Sequence, residues 1–250
     1  MLVLLSPSKT QNFEPLNQKL KCSLPTYKSE ISQLISALKD LNQNEIGQLM
    51  SISPRLAELN YLRFQNFKSE FNLETAKPAL FAFEGDVYTD IEASQYSDKE
   101  LDFANTILRI LSGLYGILKP LDLIQPYRLE MKTKLKTNQY KDLYQFWDNK
   151  ITKTLNQQES DLIINLASEE YFKVIQPKDL KAKLVQVSFK ENKAGTYKIV
   201  AIYAKKARGT MANFIVKNQI TDLEKIKKFN LDRYSFNPNL SSESEIVFTR

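Results

Sequence analysis

The sequence predicts an α+β fold, one mixed sheet surrounded by helices, and three observations carry that expectation. Short apolar runs stop at Pro, Gly or Ser, as buried strands do. Longer stretches space their apolar residues three and four apart behind capping residues, as helices do. No repeat, low-complexity tract or Gly/Ser/Pro linker divides the 250 residues, so they read as a single domain, 1-250.

Met1–Leu5 is an apolar run stopped by Ser6-Pro7, a short buried strand. Ile31, Leu34, Ile35, Leu38 and Leu41 keep helical spacing behind Ser29. Ser53-Pro54 sets an N-cap before a first-turn proline, with Leu56, Leu59 and Leu62 as the expected buried stripe. Ala79–Phe83 reads as a strand. Ser97-Asp98-Lys99-Glu100 is a capping box, and the helix it opens presents Leu101, Ala104, Leu108 and Leu111. One helix is expected from Lys141 to about Gln157, with Leu143, Phe146, Trp147, Ile151 and Leu155 inward. Asp161–Ala167, Leu184–Phe189 and Tyr197–Ala204 are strand-like, and Ile199–Ala204 lacks alternation, as a strand buried on both faces does. Helices follow over Ala207–Ile220 and behind Thr221-Asp222-Leu223-Glu224, and Glu245–Phe248 is a last strand.

Composition narrows the chemistry. Histidine is absent, which removes Ser-His-Asp and Cys-His catalysis and histidine metal sites; Cys22 is alone, which excludes an internal disulfide and suits a reducing compartment. The reading carries no cofactor and no metal. There is no signal-peptide pattern and no apolar run near the roughly 20 residues that span a bilayer; a cytoplasmic location without a membrane partner is expected. Residues 1–125 hold 12 Lys/Arg against 15 Asp/Glu, and residues 126–250 hold 23 against 14. The basic second half points to a polyanion, or else to lysine-rich solvation.

Only six glycines occur, and two stand three apart in Leu111-Ser112-Gly113-Leu114-Tyr115-Gly116-Ile117-Leu118-Lys119-Pro120. A helix signal enters the pair and a proline follows it, so the segment reads as a helix-hairpin-helix-like element. Main-chain amides near Gly113, Tyr115 and Gly116 would meet a phosphate, with Arg109 and Lys119 adding charge. The alternative is a helix corner with a glycine C-cap. Downstream, Arg128, Lys132, Lys134, Lys136 and Lys141 are opposed only by Glu130 before Asp142, and Tyr127 and Tyr140 flank them: a base-stacking surface or a solvated loop. Lys205, Lys206 and Arg208 fall where the expected buried strand gives way to a helix, beside Gly209-Thr210, which suits an anion site or lysines snorkelling from a sheet edge.

Catalytic candidates are Ser8 with Lys9, and Ser168 with Glu170, each pair beyond an expected strand. A Ser/Lys pair acts as nucleophile and base when burial depresses the lysine; a strand-end turn and a helix N-cap explain the same residues. Glu84 and Asp86 flank Gly85 and have the chemistry to hold a divalent cation or share acid–base work.

Taken together these segments resemble the YaaA family of bacterial peroxide-stress proteins. The likeness rests on Ser6–Thr10, Gly85–Tyr88, Leu111–Leu118 with Pro120–Asp122, Pro126–Met131, Asp142–Trp147, Asn165–Ser168 with Glu170–Phe172, and Tyr203–Gly209 with Met211, in order along the chain. The resemblance implies protection against hydrogen peroxide, a link to lower free intracellular iron, DNA binding through a helix-hairpin-helix beside a basic cleft, and a mixed fold unlike the common superfolds. The usual hairpin has one residue between its glycines; Leu114 and Tyr115 stand there in this chain.

The leading expectation is therefore a stress protein that binds double-stranded DNA through Gly113, Tyr115, Gly116 and Lys119, with Arg128, Lys205, Lys206 and Arg208 lining the cleft. The rival is an enzyme acting on nucleic acid or a nucleotide, or another phosphate ligand, in a polar pocket where Ser8/Lys9, Ser168/Glu170 and Lys205/Arg208 converge. A third reading is a module whose basic surface meets acidic proteins. The oligomeric state is not legible.

Overall fold

The computed structural model describes every residue except 17 and 138. In chain order the elements are β1 (Leu2–Leu5), β2 (Thr10–Gln11), α1 (Lys28–Lys39), α2 (Gln43–Met50), α3 (Pro54–Gln65), β3 (Lys77–Pro78), α4 (Ala79–Ala82), β4 (Phe83–Glu84), α5 (Asp86–Ile91), α6 (Asp98–Ile107), β5 (Leu108–Ser112), β6 (Gly116–Leu118) and β7 (Leu123–Ile124). Then come α7 (Leu143–Trp147), α8 (Lys150–Asn156), β8 (Leu162–Asn165), α9 (Glu169–Phe172), β9 (Lys183–Lys193), β10 (Thr196–Lys198), α10 (Ala201–Lys217), α11 (Leu223–Ile226), β11 (Ser235–Phe236) and β12 (Glu245–Thr249).

The fold is mixed α and β. Its main sheet has eight strands in the order β11-β12-β9-β8-β1-β5-β6, with β10 pairing β9 off that path. The inner strands β12, β9, β8, β1 and β5 are parallel, and the edges β11, β6 and β10 are antiparallel additions. All four residues of β1 are buried, as a strand covered on both faces requires. Among the described residues no helix is long and apolar enough to cross a membrane.

Several local expectations hold for the reasons that predicted them. Ser97 accepts from the Glu100 amide while the Glu100 carboxylate reaches back, opening α6. The helix behind Thr221 starts one residue later than the box implies, because Asp222 rather than Thr221 caps α11 through the Lys225 amide. The helix expected over 141–157 is instead two: Asp148 takes φ 40°, ending α7 before α8 begins.

Three other differences matter more. Ala79–Phe83 is mostly the short helix α4. Tyr197–Ala204 is not a buried strand: β10 ends at Lys198 and Ala201 already starts α10, leaving Ile199 57% and Ile202 54% exposed. Unalternating apolar runs fit either a buried strand or a helix, and periodicity alone does not decide. On α3 the inward residues are Ala57, Asn60 and Phe64, so Leu56, Leu59 and Leu62 lie one step round the helix and face solvent.

The glycine segment is corrected outright. After α6 the chain enters β5, turns over residues 113–115 and returns antiparallel as β6, pairing Ser112 with Gly116, Leu111 with Ile117 and Ile110 with Leu118. It is a β-hairpin, not a helix-hairpin-helix, and it is buried throughout: Leu114 and Tyr115 are both 0% exposed. Gly113 lies so close to the Leu129 main chain that a Cβ there would overlap its carbonyl oxygen. Gly116 adopts φ 70° against the Trp147 ring, so backbone conformation and packing both require glycine.

Candidate functional site

β1 and β8 are parallel neighbours whose onward connections run to opposite sides: β1 leads towards β5, whereas β8 leads to β9. Open parallel sheets bind ligands outside the carboxyl ends of strands at such a switch point. Here the two strand ends are joined. The Ser168 amide donates to Ser6 Oγ at 2.8 Å, Ser6 Oγ donates to Ser168 Oγ at 3.2 Å, and Tyr88 OH donates to the Ser6 carbonyl at 2.9 Å. Ser8 accepts from the Thr10 amide at 3.2 Å, which leaves its own hydrogen free to donate.

Against this joint packs the segment after β7. Glu130 is its hub: Lys9 Nζ stands 3.0 Å from Oε2, Arg128 Nη2 3.0 Å from Oε1 and Lys132 Nζ 3.5 Å from Oε2. Lys132 also reaches Glu170 Oε2 at 3.6 Å, and its amide donates to Glu170 Oε1. Burial pushes the Glu130 carboxyl up, but the hydrogen bonds and charges of Lys9 and Arg128 outweigh burial and hold it below its ordinary value. Glu170 and Glu130 raise the Lys132 ammonium in turn. Arg128 keeps one buried nitrogen, Nε, without a partner. Tyr127 and Tyr171 line the cleft with Ser8, Lys9, Arg128 and Glu130, and burial pushes both phenols up. With Lys9 and Glu130 paired across its lining, the cleft has room for roughly one water.

The structure thus brings together Ser8, Lys9, Arg128, Ser168 and Glu170 from the sequence reading. Sequence reasoning missed Ser6 and the central role of Glu130, although Glu130 was visible as the lone acid among five cations. The Ser8/Lys9 dyad does not form as a nucleophile and base, because Lys9 is ion-paired to Glu130 and its side chain is 57% exposed.

The remaining candidates lie elsewhere. Gly113, Tyr115 and Gly116 are spent internally: the Tyr115 amide donates to Ser112 Oγ, and Trp147 Nε1 donates to the Gly113 carbonyl. All three residues are buried, out of reach of a duplex. Arg109, near the start of β5, is held by Gln158 and the Asn105 carbonyl; burial lowers its guanidinium to about 10, with Asp122 opposing. Lys119 is exposed and borders the shallow cleft beside Arg109. Lys205 and Lys206 are exposed on the early turns of α10. Arg208 is half-buried, its Nε unpartnered and its guanidinium lowered by burial. The expected Gly209-Thr210 turn is helix interior, where Gly209 lets α10 close on the Val87 carbonyl of α5. Glu84 is bonded to Asn12, and among the described residues no three Cys, Asp or Glu stand together as a metal-holding group.

Comparison with known proteins places this arrangement. The sequence profile described as peroxide stress protein YaaA matches residues 1–240. The chain belongs to the YaaA family. It is 48% identical to a UPF0246 protein of Acaryochloris marina over the full length of both chains. A UPF0246 protein of Aliivibrio fischeri is 48% identical, covering all of this chain and 98% of its own, and one of Saccharophagus degradans is 46% identical, with 100% and 99% covered.

Proposed function

We propose that this YaaA-family protein counters hydrogen peroxide in the cytoplasm by holding double-stranded DNA at the carboxyl-end rim of its sheet, shielding it from hydroxyl radicals. The observation that carries this reading is the convergence of Lys9, Arg128 and Lys132 on one carboxylate beside free and shared hydroxyls at the switch point. In this structure the three cations hold Glu130. A backbone phosphodiester carries the same single charge as the carboxylate, and the successive phosphates of a duplex compete together for the same donors. On the same side, β9 continues from Val187 to Lys193 past its last rung with β8, and its hairpin with β10 carries exposed Lys193 and Lys198. Lys205 and Lys206 are exposed on the first turns of α10, which follows that hairpin, and Lys206 faces Asp90. The glycine hairpin takes no part. With no histidine and one cysteine the chain is a poor iron store, so an effect on free iron is indirect.

Contacts of this kind bind the DNA backbone irrespective of sequence and weaken with salt. Fluorescence anisotropy of a labelled duplex tests them: the log–log salt slope falls by about 0.9 for each phosphate contact removed. Lys9→Glu with Lys132→Glu lowers affinity and flattens the slope by roughly two. An unchanged slope in that double variant overturns the reading.

A second reading is favoured by one observation: Ser8, Ser6, Ser168 and Glu170 surround the same cations, a hydroxyl–carboxylate set that a bare clamp does not need. It makes the rim of the cleft, where Lys9 and Lys132 are exposed, an enzyme site for a nucleotide or nucleic acid. Product analysis by mass spectrometry after incubation with nucleotides and oligonucleotides decides it, turnover lost in Ser8→Ala being the expected signature.

A further inference from the structure

The outward leucines of α3 border a second cleft, on a different part of the surface. Leu59 and Leu62 form one wall; Phe67 and Pro126 are across from it, and the enclosed volume is about 350 Å³, within the range of small-molecule pockets. Leu59 is 43% and Leu62 48% exposed, which marks an apolar face that the chain itself leaves uncovered. The walls are fixed. Gln125, almost wholly buried, accepts from the Lys68 amide at 2.9 Å and donates to the carbonyls of Lys68 and Glu70, tying segment 66–70 to the start of segment 125–131.

The charge at the rim is one-signed. Arg63 and Lys68 border the cleft and no carboxylate does. Among the described residues no acid pairs with Arg63, whose side chain makes one long hydrogen bond, 3.4 Å to Asn60 Oδ1. Burial lowers its guanidinium, and the like charge of Arg128 lowers it further. An apolar trough ending at an unpaired guanidinium and an exposed ammonium is complementary to a ligand with an aliphatic body and an anionic head.

We propose that this cleft binds an amphipathic carboxylate, its aliphatic chain on Leu59, Leu62, Phe67 and Pro126 and its head group on Arg63 and Lys68. The head would also neutralise the field that Arg63 and Arg128 impose on one another, which ties occupancy here to the cation cluster around Glu130. The site does not depend on the DNA reading.

Isothermal titration of the full chain with decanoate, kept below its aggregation concentration, tests the proposal. Saturable one-to-one binding is expected, with decanol, which has the chain but no charge, at least tenfold weaker. Arg63→Gln weakens decanoate at least tenfold, and Leu59→Ser, a change at a half-exposed position, weakens both ligands. Should Arg63→Gln unfold, Lys68→Gln at an exposed position reads the same head-group contact. Non-saturating decanoate binding, equal affinity for decanol, or loss of decanoate binding in Lys9→Glu but not in Arg63→Gln or Lys68→Gln overturns the assignment. So does an acidic amphipathic peptide that binds the cleft tightly where decanoate does not, because a protein groove is then the better description.

Discussion

The turn at 113–116 and the cluster around Glu130 both gather polar groups in a small volume, yet one is closed and the other open. At the turn the groups are buried and bonded within the fold: the Tyr115 amide to Ser112, the Gln125 amide to Tyr115 OH, and the Trp147 indole to the Gly113 carbonyl. Around Glu130, Lys9 and Lys132 are 57% and 62% exposed, and Arg128 Nε has no partner. Paired glycines here record how tightly two pieces of backbone pack. Ligand-facing backbone would need to reach solvent, and residues 113–116 are buried. Chemistry belongs to the region whose polar groups the fold has not used up.

Substitutions break this comparison at its strongest point first. Trp147→Ala removes a fully buried ring that covers Gly116 and caps the Gly113 carbonyl, and costs roughly 4 kcal/mol in chemical denaturation. Gly113→Ala forces a methyl into the Leu129 carbonyl and costs roughly 3 kcal/mol. In both, any loss of duplex binding tracks the unfolded fraction. A folded Gly113→Ala protein with selectively lost affinity would restore the turn as a DNA contact.

Glu130→Gln probes the open region. It frees three cations, so duplex affinity rises several-fold at low salt while stability falls by about 1 kcal/mol. Its pH dependence sharpens the point. The folded Glu130 pKa lies below the unfolded one, so its contribution is complete above the unfolded value and disappears as pH falls through the folded value. Urea midpoints followed into the acid range therefore decline more steeply for the wild type than for Glu130→Gln. Smallest of all, Leu62→Ser changes stability by no more than about 0.5 kcal/mol, because the leucine is already half in water.

Much of the frame was legible. β1, β8, β12 and the capped starts of α6 and α11 follow from short local signals, and the segments around Ser8 and Ser168 were recognisable as polar strand ends. Their meeting was not, because register between strands separated by most of the chain leaves no local trace. The α3 stripe misled for a specific reason. Ala57-Asn60-Phe64 and Leu56-Leu59-Leu62 both keep helical spacing, and only the tertiary partner selects between them. The central role of Glu130 was not legible, since nothing near it in sequence shows that Lys9, far away along the chain, folds against it.

The place of β1 has a consequence for how the molecule is made. It is synthesised well before both of its neighbours, Leu108–Ser112 and Leu162–Asn165. Until translation reaches the second of these, the nascent chain carries an entirely apolar strand with an unsatisfied edge, a template for intermolecular pairing. The centre of the sheet therefore closes only once Leu162–Asn165 has been made.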